Sequence, residues 1–307
     1  SSDVCSSDLL ETKLRVREGY TITEVKSIPH SCDILVKRDG YPDIRIESKA
    51  HNDNVRVAEV KKFESDLLTL NNHGIFVSLY SGICGKNALE IEMLQKAIDV
   101  SVTAHLAMMD SLTPGMTEYQ VEAVGEYHFH RLGAEDIGYP SICGASENGC
   151  ILHYEKNRRT MSSGDLILLD MGAEYHGYTA DITRTLPVNG TFNDEQAKIY
   201  DLVRLAQQAG FKACLSGNDF KAPHRASLEV IQKGLMELGI IKDKVDARKY
   251  FPHGTSHNLG LDVHDTGDND SLKAGQIITV EPGIYIPEGS PCDPKWWKIG
   301  IRIEDDV

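Results

Sequence analysis

The chain has 307 residues, 41% hydrophobic and 25% charged, the composition of a soluble globular protein with one or two ordinary cores. Its formal net charge of −14 argues against non-specific binding to nucleic acid or anionic membranes. Residues 1–85 carry 13 acids against 11 bases, so −12 of that charge lies in residues 86–307.

Seven cysteines, Cys5, Cys32, Cys84, Cys143, Cys150, Cys214 and Cys292, form no CxxC pair and suit free thiols in a reducing compartment. No apolar run is long enough for a bilayer and no signal-peptide pattern opens the chain, so a cytoplasmic location away from membranes is expected. The opening SSDVCSSDLL nearly repeats itself and has no period that buries a face; residues 1–10 are read as a non-native, adapter-like segment. Residues 31–80 predict strand, strand, helix and strand: CDILVKR and DIRIESKA flank the turn former DGYPD, Val57, Val60, Phe63, Leu67 and Leu70 recur at helical spacing, and GIFVSLY is strand-like.

From Ala88 the pattern turns helical, with Ile91, Leu94, Ile98 and Val102 predicting one apolar stripe. After PGM, Thr117 and Gln120 have capping-box spacing and open a second helix towards Arg131. Strands are expected at Ile151–His153, Leu166–Met171 and Tyr178–Leu186, helices near 194–215 and 222–238, and strands again at QIITVEPGIYI and KIGIRIEDDV. Helices and an antiparallel sheet without regular βαβ alternation indicate an α+β fold.

The stretch LLDMGAEYHGYTADITRT places Asp170 and Asp181 on two predicted arms. A turn centred between Tyr175 and His176 would set them opposite each other, with Cβ atoms about 4.5–5.5 Å apart. Like charges so placed repel unless a cation lies between them or one takes a proton. Taken alone, the pair also fits a turn of odd length with one aspartate on a solvated face.

Three later stretches add donors. HGTSHNLGLDVHD carries His253, His257 and His264; it lacks the Glu of a helical HExxH zinc site, and Gly254 and Gly260 argue against a continuous helix. In ITVEPGIY, Glu281 interrupts an apolar strand, where an unpaired carboxylate is expensive to bury. In IGIRIED, Ile299, Ile301 and Ile303 alternate with Gly300, Arg302 and Glu304, so Arg302 and Glu304 share a face, either a site or a solvated outer surface. Four carboxylates with imidazole suit Mn²⁺, with Zn²⁺ or Co²⁺ possible, and exceed what one ion usually takes. Two ions about 3.5–4 Å apart would favour hydrolysis.

The ordered set Asp170, Asp181, His257, Glu281 and Glu304 resembles the five-ligand signature of the pita-bread metallopeptidases, the family of methionine aminopeptidase, prolidase and aminopeptidase P. Together with LHYEKN, PHGTSHNLGLDVHD, TVEPGIYIPEG and IRIED, the resemblance covers about residues 88–307. It implies the pita-bread (creatinase/aminopeptidase) fold, and the HGTSHNLGLDVHD form and the IPEGSPCDPKWWKIGIRIED tail look closest to Xaa-Pro aminopeptidase.

By that resemblance, two divalent ions are expected, with Asp170 on one, Asp181 and Glu304 bridging, and His257 and Glu281 completing the second. A bridging hydroxide would cleave an N-terminal residue from a following proline, Glu281 assisting proton transfer and His264 stabilising the oxyanion. His253 and His153 would line the substrate side, and Arg302 would orient Glu304. The expected partners are peptides with proline second, and a homo-oligomer is possible. A prolidase restricted to dipeptides and a non-catalytic binding module are the neighbouring alternatives.

The N-terminal part reads differently. Asp33 and Glu47 would face each other about a turn near Gly40, with Lys49 on the face of Glu47, a set able to hold Mg²⁺ against a phosphodiester. This stretch resembles a partial PD-(D/E)xK restriction-endonuclease-like core, a small α/β nuclease-like fragment over residues 11–87, and a solvated charged hairpin is the alternative. Metal-dependent nuclease action, and with it any contact with nucleic acid, would run through this fragment. A seam is expected near residues 84–92, and the end at Val307 is expected to truncate the catalytic domain, residues 88–307.

Overall fold

The computed structural model describes residues 88–267 and 269–307 and, before them, the backbone of four strands: β1 (Thr21–Glu24), β2 (Ile34–Lys37), β3 (Ile44–Lys49) and β4 (His73–Ser78). The chain divides into two compact units, residues 1–85 with 266–268, and residues 86–265 with 269–307. In the first unit, β1, β2 and β3 pair antiparallel and β4 joins β3 in parallel. Ile34 lies opposite Ile46, a register centred on Gly40. The helix expected between Val57 and Leu70 lies outside the described residues.

In the second unit, α1 (Ala88–Ser111) keeps Leu94 of the expected stripe buried, leaves Ile98 half-buried and otherwise buries a different set. Leu94, Ala97, Val100, Ser101, Ala104, His105 and Met108 are buried, whereas Ile91 and Val102 are exposed. Small side chains at 97, 101 and 104 let the helix approach the sheet closely, and Ser101 and His105 bond to the backbone of Ala173 and Met171, so size and hydrophobicity alone pointed to the wrong face. The next helix, α2 (Glu118–Arg131), begins where Gln120 Oε1 accepts from the Thr117 N–H at 2.9 Å.

The central sheet has the order β10 (Thr183–Pro187), β7 (Leu166–Asp170), β6 (Ile142–Ala145), all antiparallel. β7 is buried at every position, as a non-alternating LILLD run requires of a central strand. Its Ile167 and Leu169 face α1 and α2, packing with Val100, Ala104, Val121 and Phe129. Period-two alternation therefore turns Leu166, Leu168 and Asp170 to the opposite face. There Leu166 joins the cluster that α3 (Asp194–Ala213) and α4 (Ala222–Glu237) form with β12 (Gly283–Ile286) and β13 (Ile299–Arg302).

The hairpin after β7 corrects two expectations. Its two-residue turn is His176-Gly177, with φ of 50° and 82°, the left-handed pair that twists tight antiparallel arms correctly. The turn centre is thus one residue later than expected, and Asp170 faces Thr183, not Asp181. The arms are also interrupted: β8 (Ala173–Tyr175) and β9 (Tyr178–Thr179) pair near the turn, with β5 (Asp136–Ile137) beside β8, and the ladder resumes at β7 and β10. Residues Ile151–His153, expected as a strand, form a turn after a short 3-10 segment at Ser146–Cys150, because the Asn148 carbonyl takes the Ile151 N–H (3.0 Å) that a ladder would use.

Two further expected strands break in the same way. QIITVEPGIYI divides into β11 (Thr279–Val280) and β12 around Glu281-Pro282, where proline removes a ladder donor. KIGIRIEDDV divides into β13 and β14 (Asp305–Asp306) around Ile303-Glu304. β11 pairs β14 and β12 pairs β13 in one continuous alignment, which carries Glu281 opposite Glu304.

Among the described residues no helix is long and apolar enough to cross a membrane, and Cys143, Cys150, Cys214 and Cys292 are free thiols.

Candidate metal centre

The breaks are where the acids stand. Asp170 ends β7, Asp181 lies in the gap between β9 and β10, Glu281 between β11 and β12, and Glu304 between β13 and β14. A bend aims a side chain without losing the ladder on either side, which is the local reason these four positions converge. His257 joins them because its own segment pairs with the second ribbon: the Thr279 N–H donates to the His257 carbonyl (3.0 Å) and the Glu281 N–H to the Thr255 carbonyl (2.9 Å).

All nine residues expected at this site, the five ligands with His153, His253, His264 and Arg302, line one cavity of about 520 Å³. Donor atoms of Asp181, His257 and Glu304 lie within 4.8 Å of one another. His257 Nε2 stands 3.4 Å from Asp181 and 3.7 Å from Glu281. The His257 and His264 rings meet edge to face, with centroids 4.4 Å apart. Of the nuclease-like set, Asp33 lies outside the described residues, and Glu47 and Lys49 are positions of β3 in the other unit.

Arg302 and Glu304 are 4% and 2% exposed, which removes the solvated outer face as an explanation for their shared side. Arg302 pairs with Asp170, donates from Nη1 to the Tyr285 hydroxyl (2.9 Å) and from Nε to Thr183 Oγ1 (3.1 Å), and lies 3.9 Å from Glu304. Thr183 in turn donates to Glu304 Oε2 at 2.7 Å. Arg302 is therefore bonded chiefly to Asp170 and reaches Glu304 through Thr183. Tyr285 passes the chain on to His253 Nε2 (2.8 Å), whose Nδ1–H is left to the Gly254 carbonyl (2.6 Å). Burial and the Arg302 charge push His253 down to about 4, so it stands as a neutral imidazole. Burial and His257 also lower His264.

Tyr139, Thr183, Thr185 and Tyr285 escaped sequence reasoning. The Tyr139 hydroxyl lies 2.6 Å from Asp170 Oδ1 and 2.7 Å from Asp181 Oδ1, and Thr185 Oγ1 donates to the Arg302 carbonyl at 3.1 Å. The two threonines were signalled by ITRT, whose alternation puts 181, 183 and 185 on one side of a strand. Tyr139 had no such signal, since it sits far from either aspartate in sequence.

The donor set fits a divalent cation centre. Burial first, then Asp170, holds Asp181 well above the usual carboxylate range; burial and Glu304 do so for Glu281, and burial and Asp181 for Glu304. Such a cluster must be neutralised by protons or by cations, and its oxygen and imidazole donors suit hard or borderline ions.

The family model for metallopeptidase family M24 matches residues 92–307. The chain belongs to metallopeptidase family M24. Within that family it is 41% identical over 234 residues to the Xaa-Pro aminopeptidase of Escherichia coli K12, covering 72% of this chain and 53% of the relative. The corresponding enzyme of Haemophilus influenzae is 39% identical, covering 72% and 54%. Aminopeptidase P from E. coli, solved with the inhibitor Pro-Leu, superposes with a TM-score of 0.71 at 35% identity over 85% of this chain and 64% of that one. The M24 part has the pita-bread fold, as the sequence resemblance implied. The chain spans about half the length of these curated relatives.

Proposed function

We propose that the second unit is a metal-dependent aminopeptidase that releases an N-terminal residue from a following proline. The observation that carries this reading is the convergence of Asp170, Asp181, His257, Glu281 and Glu304 on one cavity, with three of them already within 4.8 Å. The Xaa-Pro aminopeptidase relatives supply the substrate class. These five residues would hold two divalent cations, with Mn²⁺ the best match to the donors and Zn²⁺ or Co²⁺ next. Bound there, the ions would supply an activated water at neutral pH and polarise the scissile carbonyl.

The chain's own side chains do the rest. Glu281 takes the proton of the attacking water and passes it to the departing proline nitrogen. His264, beside His257 in the cavity lining, donates to the developing oxyanion. His253, held neutral and fixed in one tautomer by Gly254 and Tyr285, lines the substrate side with His153. Arg302 keeps Asp170 oriented from beneath.

The test is metal analysis of the purified chain and of Asp181→Ala after dialysis, followed by assay with Mn²⁺. The wild type is expected to retain about two ions and the variant to lose them. The wild type alone should cleave Xaa-Pro peptides longer than two residues. Cleavage confined to dipeptides would make the enzyme a prolidase, and equal, negligible metal in both proteins would overturn the metal centre itself.

A further inference from the structure

Glu118, the first residue of α2, is 0% exposed and faces no cation among the described residues, yet its carboxylate is saturated. Oε1 accepts from the Ala145 N–H (2.8 Å) and Asn148 Nδ2 (2.9 Å). Oε2 accepts from the Tyr154 hydroxyl (2.9 Å) and the Arg159 N–H (2.8 Å). Asn148 spends its second amide hydrogen on the Tyr154 oxygen (2.9 Å), so the network closes on itself. Buried carboxylates are rare without a strong local reason, and one that accepts four times has its desolvation compensated by bonds that are individually stronger than neutral ones.

Everything Glu118 grips belongs to one stretch, residues 145–159. After its 3-10 segment this stretch has no helix or strand of its own, and it supplies Leu152, His153 and Glu155 to the wall of the cavity. The stretch is pinned from the far side where Gly149 passes Gly300: a Cβ at Gly300 would come within 2.1 Å of the Gly149 carbonyl oxygen. Tyr154, directly after His153, points the other way and packs with Ile142, Leu168 and Tyr285 under the cavity floor. His153 is therefore the exposed neighbour of an anchored residue, and its position follows that of Tyr154.

We propose that Glu118 is a positioning residue: by holding Ala145, Asn148, Tyr154 and Arg159 at once, it sets where the His153 wall stands relative to the metal ligands. This rests on the reading of the cavity as the peptidase site. It assigns Glu118 no contact with substrate or metal, and so separates two properties that a ligand would join. Substrate handling depends on Glu118 and cation affinity does not.

Glu118→Gln is the sharpest change, because an amide NH₂ must then face an N–H or O–H donor. In the Mn²⁺-loaded chain kcat/KM for an Xaa-Pro peptide should fall by about 30-fold, as displacement of a catalytic wall by roughly 1 Å does. Mn²⁺ affinity by equilibrium dialysis should stay within about twofold, and the backbone amides of Ala145 and Arg159 should exchange hydrogen at least about tenfold faster. In a His153→Ala background the same substitution should cost under about threefold, because residues that act through one another are not additive. Independent, multiplicative losses in that cycle, a tenfold weaker Mn²⁺ affinity, or unchanged exchange at both amides would each overturn the proposal. Should Glu118→Gln not fold, Tyr154→Phe removes one of the four donors and should repeat the pattern at about threefold amplitude. If no variant and no wild type cleaves any proline peptide, the peptidase reading fails, while the exchange rates at Ala145 and Arg159 still decide whether Glu118 holds this wall.

Discussion

The two ribbons that carry the acids are built alike and aim them differently. In the first, β7–β8 against β9–β10, the alignment puts Asp170 across from Thr183 and leaves Asp181 across from Gly172, so the aspartates are offset by two residues. In the second, β11–β12 against β13–β14, Glu281 and Glu304 face each other directly. Gly172 shows why the first ribbon tolerates its offset: a Cβ there would lie 1.7 Å from the Ala180 carbonyl oxygen, so the arms close to a distance no side chain permits. The ribbons meet where Thr183 bridges to Glu304. Carboxylate geometry is thus set by where a bend falls along the register, and two ribbons of different phase give four acids that converge without superimposing.

Their supports differ as well. The first break is held from behind by α1: Ser101 Oγ accepts from the Ala173 N–H (2.9 Å) and His105 Nε2–H donates to the Met171 carbonyl (3.0 Å), bracketing Gly172. The second is held by proline and by the strand-like segment through Thr255 and His257. Behind it the corresponding buried hydroxyl, Ser227, bonds among the described residues within the helix pair, to the Ala206 carbonyl (2.9 Å).

The largest effect is expected where the ribbons depend on each other. Arg302→Met leaves Asp170 of the first ribbon without its partner from the second and should destabilise the metal-free chain by about 3–5 kcal/mol in urea unfolding. A loss below about 1 kcal/mol would mean the ribbons stand independently.

Next comes the support of the first break. Burial pushes His105 down to about 4 from 6.5, so the unfolded chain binds a proton there first. Its contribution to stability is complete above pH 6.5 and is lost as pH falls towards 4, roughly 3 kcal/mol in all. His105→Gln should remove that slope from the difference between unfolding free energies at pH 7 and pH 4.5. Identical slopes in both proteins would show that His105 is not held neutral against the Met171 carbonyl.

The smallest effect belongs to the second half. Ser227→Ala should cost about 1 kcal/mol and leave Mn²⁺ affinity unchanged, since its bond never reaches a ribbon. A change in affinity would erase the contrast between the two supports.

Residue chemistry made the candidate site legible and left its geometry hidden. Four carboxylates interrupting apolar strands have no bland role that fits all of them, so their order alone pointed to a cation centre. Their alignment depended on one turn, and GAEYHGYT holds two candidate centres a residue apart; His176 accepting a positive φ decided between them. On α1 the eye follows Ile91, Ile98 and Val102, yet the helix turns on Ala97, Ser101 and Ala104, because close approach to β-backbone favours small and hydrogen-bonding residues over large ones. Tyr139 and Glu118 illustrate a harder limit: each acts across more than twenty residues of chain, and nothing local marks a side chain whose partner is elsewhere.

Tyr139 has one hydroxyl hydrogen and two aspartate oxygens within reach of it. One hydrogen cannot lie in both short contacts at once, so the second contact calls for a proton on an aspartate, and burial and Asp170 drive Asp181 upward. With the proposed cations bound at this site, uptake would be an exchange: a cation enters as a proton leaves. Loading should acidify an unbuffered solution, its measured heat should change with the ionisation enthalpy of the buffer, and apparent affinity should rise with pH.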